Sequence, residues 1–144
     1  MASMNKQKHM NSHVRQQIVR AKIFIDEYCL DDLDTGLIAR KACLSRFHFL
    51  RLFKLTYGVT PHQYLTGRRI GKAKELFNAG ESVTGICRTL GFDSLSSFNK
   101  LFRRYERVSP SLYRRRLIQQ QKDITENPLE YVPQCFIEYL HWDK

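Results

Sequence analysis

The groups in this chain best suited to recognition chemistry are Arg46, Arg51, Asn99 and Lys100. A guanidinium carries a rigid fork of donors that matches the O6 and N7 acceptors of guanine, and a carboxamide can pair with N6 and N7 of adenine. Neither group selects anything unless a rigid element carries it to a base edge. Covalent chemistry finds less support. There is no GxSxG, no phosphate-cradling GxxxxGK[ST], no HExxH and no carboxylate pair on one helix face. His48 stands beside Phe49 and reads as a packing or groove-edge residue, not as a base or metal ligand. The four cysteines, Cys29, Cys43, Cys87 and Cys135, form no CxxC and no zinc spacing, so neither metal nor cofactor is expected and a reducing cytoplasm is.

The elements that must hold these groups are helices. Val14, Ile18, Ala21, Ile25 and Tyr28 recur at helical spacing and predict a helix over 13–30. Turn formers at 31–36 lead into a short helix over 37–42, and Ser45 is placed to cap a helix over 46–57 that buries Phe49, Leu52 and Phe53. Gly58 ends it. Thr60 and Pro61 open a long helix over 61–79. Ser82 starts the next, with Ile86, Cys87 and Leu90 on its inner stripe; Gly91 is the corner, and Ser94 or Ser96 caps a further helix that buries Phe98, Leu101 and Phe102. Cys43 and Cys87 both fall on predicted core positions and are expected to be buried. The faces turned away from the core then carry Arg46, Phe47, Leu50, Arg51 and Lys54 in one helix, and Leu95, Ser96, Asn99, Lys100 and Arg103 in the other. For Leu50 and Leu95 core packing is an equal alternative.

The chain repeats itself. Phe49–Leu65 aligns with Phe98–Arg114 at an offset of 49, pairing Phe49 with Phe98, Phe53 with Phe102, Pro61 with Pro110 and Tyr64 with Tyr113. Upstream the offset is 48, which pairs Ile38 with Ile86 and Cys43 with Gly91. Two helix-turn-helix copies joined by one long helix follow from this duplication. The second copy resembles the AraC/XylS transcription regulators, through Gly91, Phe92, Ser96, Phe98, Phe102, Ser109, Pro110, Tyr113 and Arg114. It departs at Arg107, where the family often has Gly, and at Ser97, where an aromatic is common.

The resemblance covers about 14–116 and implies an all-α fold: a helix-turn-helix subdomain over 13–60, a linker helix over 61–79 and a second subdomain over 80–117. Residues 1–12 are expected to be a disordered start and 118–144 a short C-terminal extension. Base contacts carried over by matching position are Arg46, Phe47, Leu50 and Arg51, then Leu95, Ser96, Asn99 and Lys100. Lys54, Arg68, Arg69, Arg103, Arg104, Arg114 and Arg115 are the expected phosphate contacts, setting affinity without choosing sequence. The implied partners are double-stranded DNA, bound as a monomer over two successive major-groove segments, and RNA polymerase for activation. The implied setting is the bacterial cytoplasm and its nucleoid. A protein-interaction module of the same fold is the alternative.

Composition agrees with a polyanionic partner. The 144 residues carry a net charge of +10, and residues 123–144 alone hold five acids against one base, leaving +14 on the rest. No apolar run reaches the ~20 residues a membrane span needs. Val132, Cys135, Phe136, Tyr139 and Leu140 make a helical stripe that would dock on the body or form a dimer contact. A ligand-sensing domain of the kind most family members carry would need more chain. The sequence therefore reads as a short stand-alone member or as a fragment of a larger one.

Overall fold

The computed structural model describes residues 11–128. Among the described residues the secondary structure is entirely helical. The order is α1 Ser12–Glu27, α2 Thr35–Lys41, α3 Arg46–Tyr57, α4 Pro61–Asn78, α5 Val83–Thr89, α6 Leu95–Glu106 and α7 Pro110–Glu126. Each start is fixed by a short polar side chain that accepts from an otherwise unpaired first-turn N–H. Asn11 takes the N–H of His13, Asp34 that of Leu37, Ser45 that of His48, Ser82 that of Gly85 and Ser109 that of Leu112. At α4, Thr60 and Gln63 exchange bonds of 2.9 and 3.2 Å, a reciprocal capping box that also places Pro61 at the first helical position. At α6 the choice between Ser94 and Ser96 falls to Ser94, whose Oγ accepts from the Ser97 N–H at 3.1 Å and donates to the Ser97 hydroxyl at 2.9 Å. Ser97, which stands where the resembled family favours an aromatic, completes this cap, and Ser96 keeps its hydroxyl free of it.

The two corners of the duplicated unit are built alike. After α2 the Leu44 N–H reaches Ala39 O at 3.0 Å, and after α5 the Phe92 N–H reaches Cys87 O at 3.1 Å. This closure requires a left-handed residue at the turn. Gly91 supplies it in the second copy at φ 69°, while Cys43 is forced into it in the first at φ 55°. The expectation that Cys43 is buried is therefore corrected. It occupies the glycine position of the corner and is exposed, whereas Cys87 is buried as its place on the inner stripe requires. The same exchange occurs in reverse one element later. Gly58 ends α3 at φ 75°, and its counterpart Arg107 follows α6 at φ 63°. Both non-glycine residues hold a conformation that disfavours a Cβ by roughly 1–2 kcal/mol, partly offset by the extra entropy glycine loses on folding. Cys43→Gly and Arg107→Gly should each stabilise the chain by about 0.5–1 kcal/mol, measured as a raised urea midpoint at unchanged slope. An unchanged or lowered midpoint would remove strain as the account of these corners.

The chain divides into two compact units, parted between Phe98 and Asn99 within α6. In the first, the inner faces of α1, α2, α3 and the start of α4 close around Ile18, Ala21, Ile25, Ile38, Phe49, Phe53 and Leu65. Phe53 is the hub, its ring 5.5 Å from that of Phe49, 4.7 Å from Tyr57 and 5.7 Å from Tyr64. Asp26 locks α1 to α4 by accepting from the Tyr64 hydroxyl at 2.8 Å, Lys22 at 2.6 Å and Arg68 at 2.8 Å. Burial alone would raise the Asp26 carboxyl, but the bonds from Lys22 and Tyr64 and the Lys22 and Arg68 charges bring it below the usual carboxylate range. Further along α4, Ile70, Ala73 and Phe77 are buried, and α4 packs on α5, where Ile86 is fully enclosed, as is Leu90 at its C-terminal cap.

In the second unit, the remainder of α6 buries Phe102, whose ring meets Tyr113 of α7 edge-on at 5.4 Å. Leu101, expected in the core, is half-buried. Helix α7 runs unbroken past 117, the expected end of the second subdomain, to Glu126. The apolar stripe from Val132 to Leu140 lies outside the described residues.

Candidate nucleic-acid interface

Helix α3 keeps Phe49, Leu52 and Phe53 inside and turns its other side outward. Arg46, Phe47, Arg51 and Lys54 are exposed there, with Leu50 half-buried at their edge. Ser45 fixes the first turn, so Arg46 and Phe47 project from a defined backbone. The core anchors and the outward residues lie on opposite sides of one rigid cylinder, as a groove-reading helix requires. His48 is half-buried, in keeping with a packing or edge role.

On α6, Leu95, Ser96, Lys100 and Arg103 are exposed, opposite the fully buried Phe98 and Phe102. Leu95, for which core packing was an equal alternative, is 41% exposed. Asn99 differs from expectation. It is half-buried, and its Oδ1 is enclosed without a hydrogen-bond partner among the described residues. Pairing with both N6 and N7 of adenine needs both ends of the amide. Whichever way the amide is turned, one end is covered, so this rotamer does not offer the bidentate contact that the residue type allows.

The expected phosphate contacts separate into three groups. Lys54, Arg103, Arg104 and Arg115 are exposed and available to a polyanion. Arg114 is half-buried, with its Nε enclosed and without a partner among the described residues. Arg68 and Arg69 are engaged within the fold. Arg68 pairs with Asp26, while its side chain stays 50% exposed. Arg69 donates from Nε to Cys29 O and from Nη2 to Asp31 O, both at 2.7 Å, and so ties down the chain leaving α1. Its expected phosphate role is corrected to a structural one, because the fork that would hold a phosphate already holds two carbonyls. Sequence pattern could not show this, since the carbonyls lie some forty residues upstream.

Among the described residues no group of His, Cys, Asp or Glu is placed to hold a metal ion, and no helix is long and apolar enough to cross a membrane. The exposed groups on α3 include cations and the Phe47 ring; those on α6 include cations, small polar groups, Leu95 and Tyr105.

Comparison with known proteins assigns this arrangement. A family described as a helix-turn-helix domain matches residues 38–116. The regulatory protein SoxS of Salmonella typhimurium is 33% identical over 104 residues, covering 71% of this chain and 97% of SoxS. The probable transcriptional regulator LumQ of Photobacterium leiognathi is 31% identical over 100 residues, which is 69% of this chain but only 40% of LumQ, so the chain spans well under half of that relative. Among solved structures, the DNA-binding domain of the global transcriptional factor AdpA, in complex with a target DNA, superposes with a TM-score of 0.64 at 26% identity. The match covers 78% of this chain and 96% of that one. The two capped, duplicated helix pairs, the family match over both of them and the near-complete coverage of SoxS place this chain in the AraC/XylS family of helix-turn-helix transcription regulators.

Proposed function

We propose that this chain binds double-stranded DNA as a sequence-selecting transcription regulator, with α3 and α6 as its recognition helices in two successive major-groove segments. The observation that carries the reading is the outward row Arg46, Phe47, Arg51 and Lys54 on a helix whose opposite side is fully anchored by Phe49 and Phe53. Leu95, Ser96 and Lys100 are the corresponding residues of the second helix. Helix α4, with 18 residues, is a rod of about 27 Å, a length suited to readers one duplex turn (~34 Å) apart. Lys54, Arg103, Arg104 and Arg115 supply phosphate contacts that set affinity and register. The DNA in the AdpA complex supports duplex DNA as the partner. Activation through RNA polymerase, in the bacterial cytoplasm at the nucleoid, is part of the same proposal, and family membership supports it.

The test is selection from a random duplex pool, followed by footprinting of a monomeric preparation on the selected site. Two protected segments about one turn apart are expected. A single protected segment would overturn the two-groove reading, and failure to enrich any sequence would overturn specific DNA binding in favour of a protein-interaction role.

A further inference from the structure

Gln17 lies on the inner face of α1, beside Ile18 and one turn before Ala21, and is 9% exposed. A carboxamide in a place built for an aliphatic side chain is costly unless its polar atoms are bonded. Its Nε2 reaches across 26 residues and donates to Cys43 O at 3.3 Å. Cys43 is the exposed, left-handed corner between α2 and α3, at φ 55°. Its carbonyl and the N–H of Leu44 are the two ends of one planar peptide unit. The N–H end donates to Ala39 O of α2 at 3.0 Å, and the carbonyl end accepts from Gln17 of α1. Holding both ends fixes the plane, and with it ψ of Cys43 and φ of Leu44. The next residue is Ser45, whose Oγ caps α3. The direction in which α3 leaves the corner is therefore set from α1 as well as from α2.

We infer that Gln17 is a positioning residue for α3: it holds the Cys43 peptide in the left-handed corner and so aims the outward row of that helix. This deepens the proposed function and rests on α3 being a recognition helix. The duplication supplies a contrast. The second copy makes the same corner with Gly91 at φ 69°, where no Cβ opposes the turn. A cysteine favours right-handed or extended backbone instead. Either would swing the Leu44 N–H off Ala39 O and carry Ser45 and α3 with it. Gln17 is enclosed in the core and presents nothing to a phosphate, so its effect on DNA passes through the corner alone.

The experiment uses Gln17→Leu, which removes the donor at similar volume, in the full chain. Affinity is measured on the selected site, on a random duplex, and on the selected site with the segment recognised through Arg51 scrambled. The variant should bind the selected site about three- to tenfold more weakly, as for one lost hydrogen bond. It should match the parent on the other two duplexes, and its slope of log K against log salt should be unchanged, because no phosphate contact is lost. Adding Cys43→Gly should restore the affinity, because glycine holds the corner unaided. The Leu44 amide should exchange with deuterium faster in Gln17→Leu than in the parent, and the Phe92 amide of the second corner at an unchanged rate. Full selectivity in folded Gln17→Leu would overturn the inference, as would a loss shared by random duplex or unchanged Leu44 exchange. A loss that Cys43→Gly does not restore would also overturn it and assign Gln17 to core stability in general. If Gln17→Leu does not fold, Gln17→Met carries the same comparison. A parent chain that selects no duplex removes the recognition reading itself, and the positioning role falls with it.

Discussion

Phe53→Ala should destabilise the chain by about 3–5 kcal/mol, as for other large buried aromatics truncated in a core. Against a total of roughly 5–15 kcal/mol for a domain, that is enough to leave a large unfolded fraction near body temperature. The reason is position as well as size. Phe53 is fully enclosed and touches three rings, so its loss opens a cavity shared by Phe49, Tyr57 and Tyr64. Tyr64 is also the residue through which α4 reaches Asp26 of α1, so the cavity sits beside the bond that joins those two helices. Helix α3 is anchored in this core by Phe49, Leu52 and Phe53, and its outward row would lose its fixed direction together with that anchor. Urea unfolding followed by circular dichroism checks the size of the effect. Phe47→Ala is the matched control: the same residue type on the same helix, but exposed, and expected within about 0.5 kcal/mol of the parent. Comparable losses for the two would mean that the inward and outward sides of α3 have been assigned wrongly.

The helix starts and the core were legible because both are written locally. A serine, threonine or aspartate before an apolar stripe has one economical use, and Phe49, Phe53, Phe98 and Phe102 all lie at 0% exposure where the periodicity puts them. The duplication extended this reach, because a poorly patterned first copy could be read through the second. It also held information that pattern reading passed over. Pairing Cys43 with Gly91 already implies a left-handed corner, and a left-handed corner turns its side chain outward instead of into the core. Other features were hidden because they are tertiary or negative. Arg69 looks like any surface arginine until α1 ends beneath it. Asn99 sits on the outward half of α6, and only packing determines that one end of its amide is covered. No helix was predicted over Pro110–Glu126, and its last turns lack an apolar stripe that would have marked it. Ile118 and Ile124 are about 40% exposed, and what sustains the helix there is the absence of any glycine or proline before Pro128.

Arg51→Ala should lower affinity for the selected site by about 1–3 kcal/mol, roughly five- to 150-fold, and relax the preference at one base pair. The side chain is exposed on the outward row, one turn beyond Phe47, with nothing in the core depending on it. Its removal should therefore leave folding stability within about 0.5 kcal/mol of the parent. Lys54, one position short of another turn along and also exposed, makes the contrast. An ammonium on a flexible stem neutralises a phosphate but forms no fork, so Lys54→Ala should weaken selected and random duplexes by the same factor and reduce the slope of log K against log salt by about 0.9. For Arg51→Ala the loss should instead be largest on the selected site and smaller on random duplex, and it should vanish when the guanine partner is replaced. These two signatures separate reading from clamping on a single helix. If Arg51→Ala behaves like Lys54→Ala on every duplex, Arg51 neutralises phosphate and the base selection attributed to α3 falls to Arg46 and Phe47. If neither substitution changes affinity or salt slope, the outward row of α3 is a solvated surface and the groove is read elsewhere.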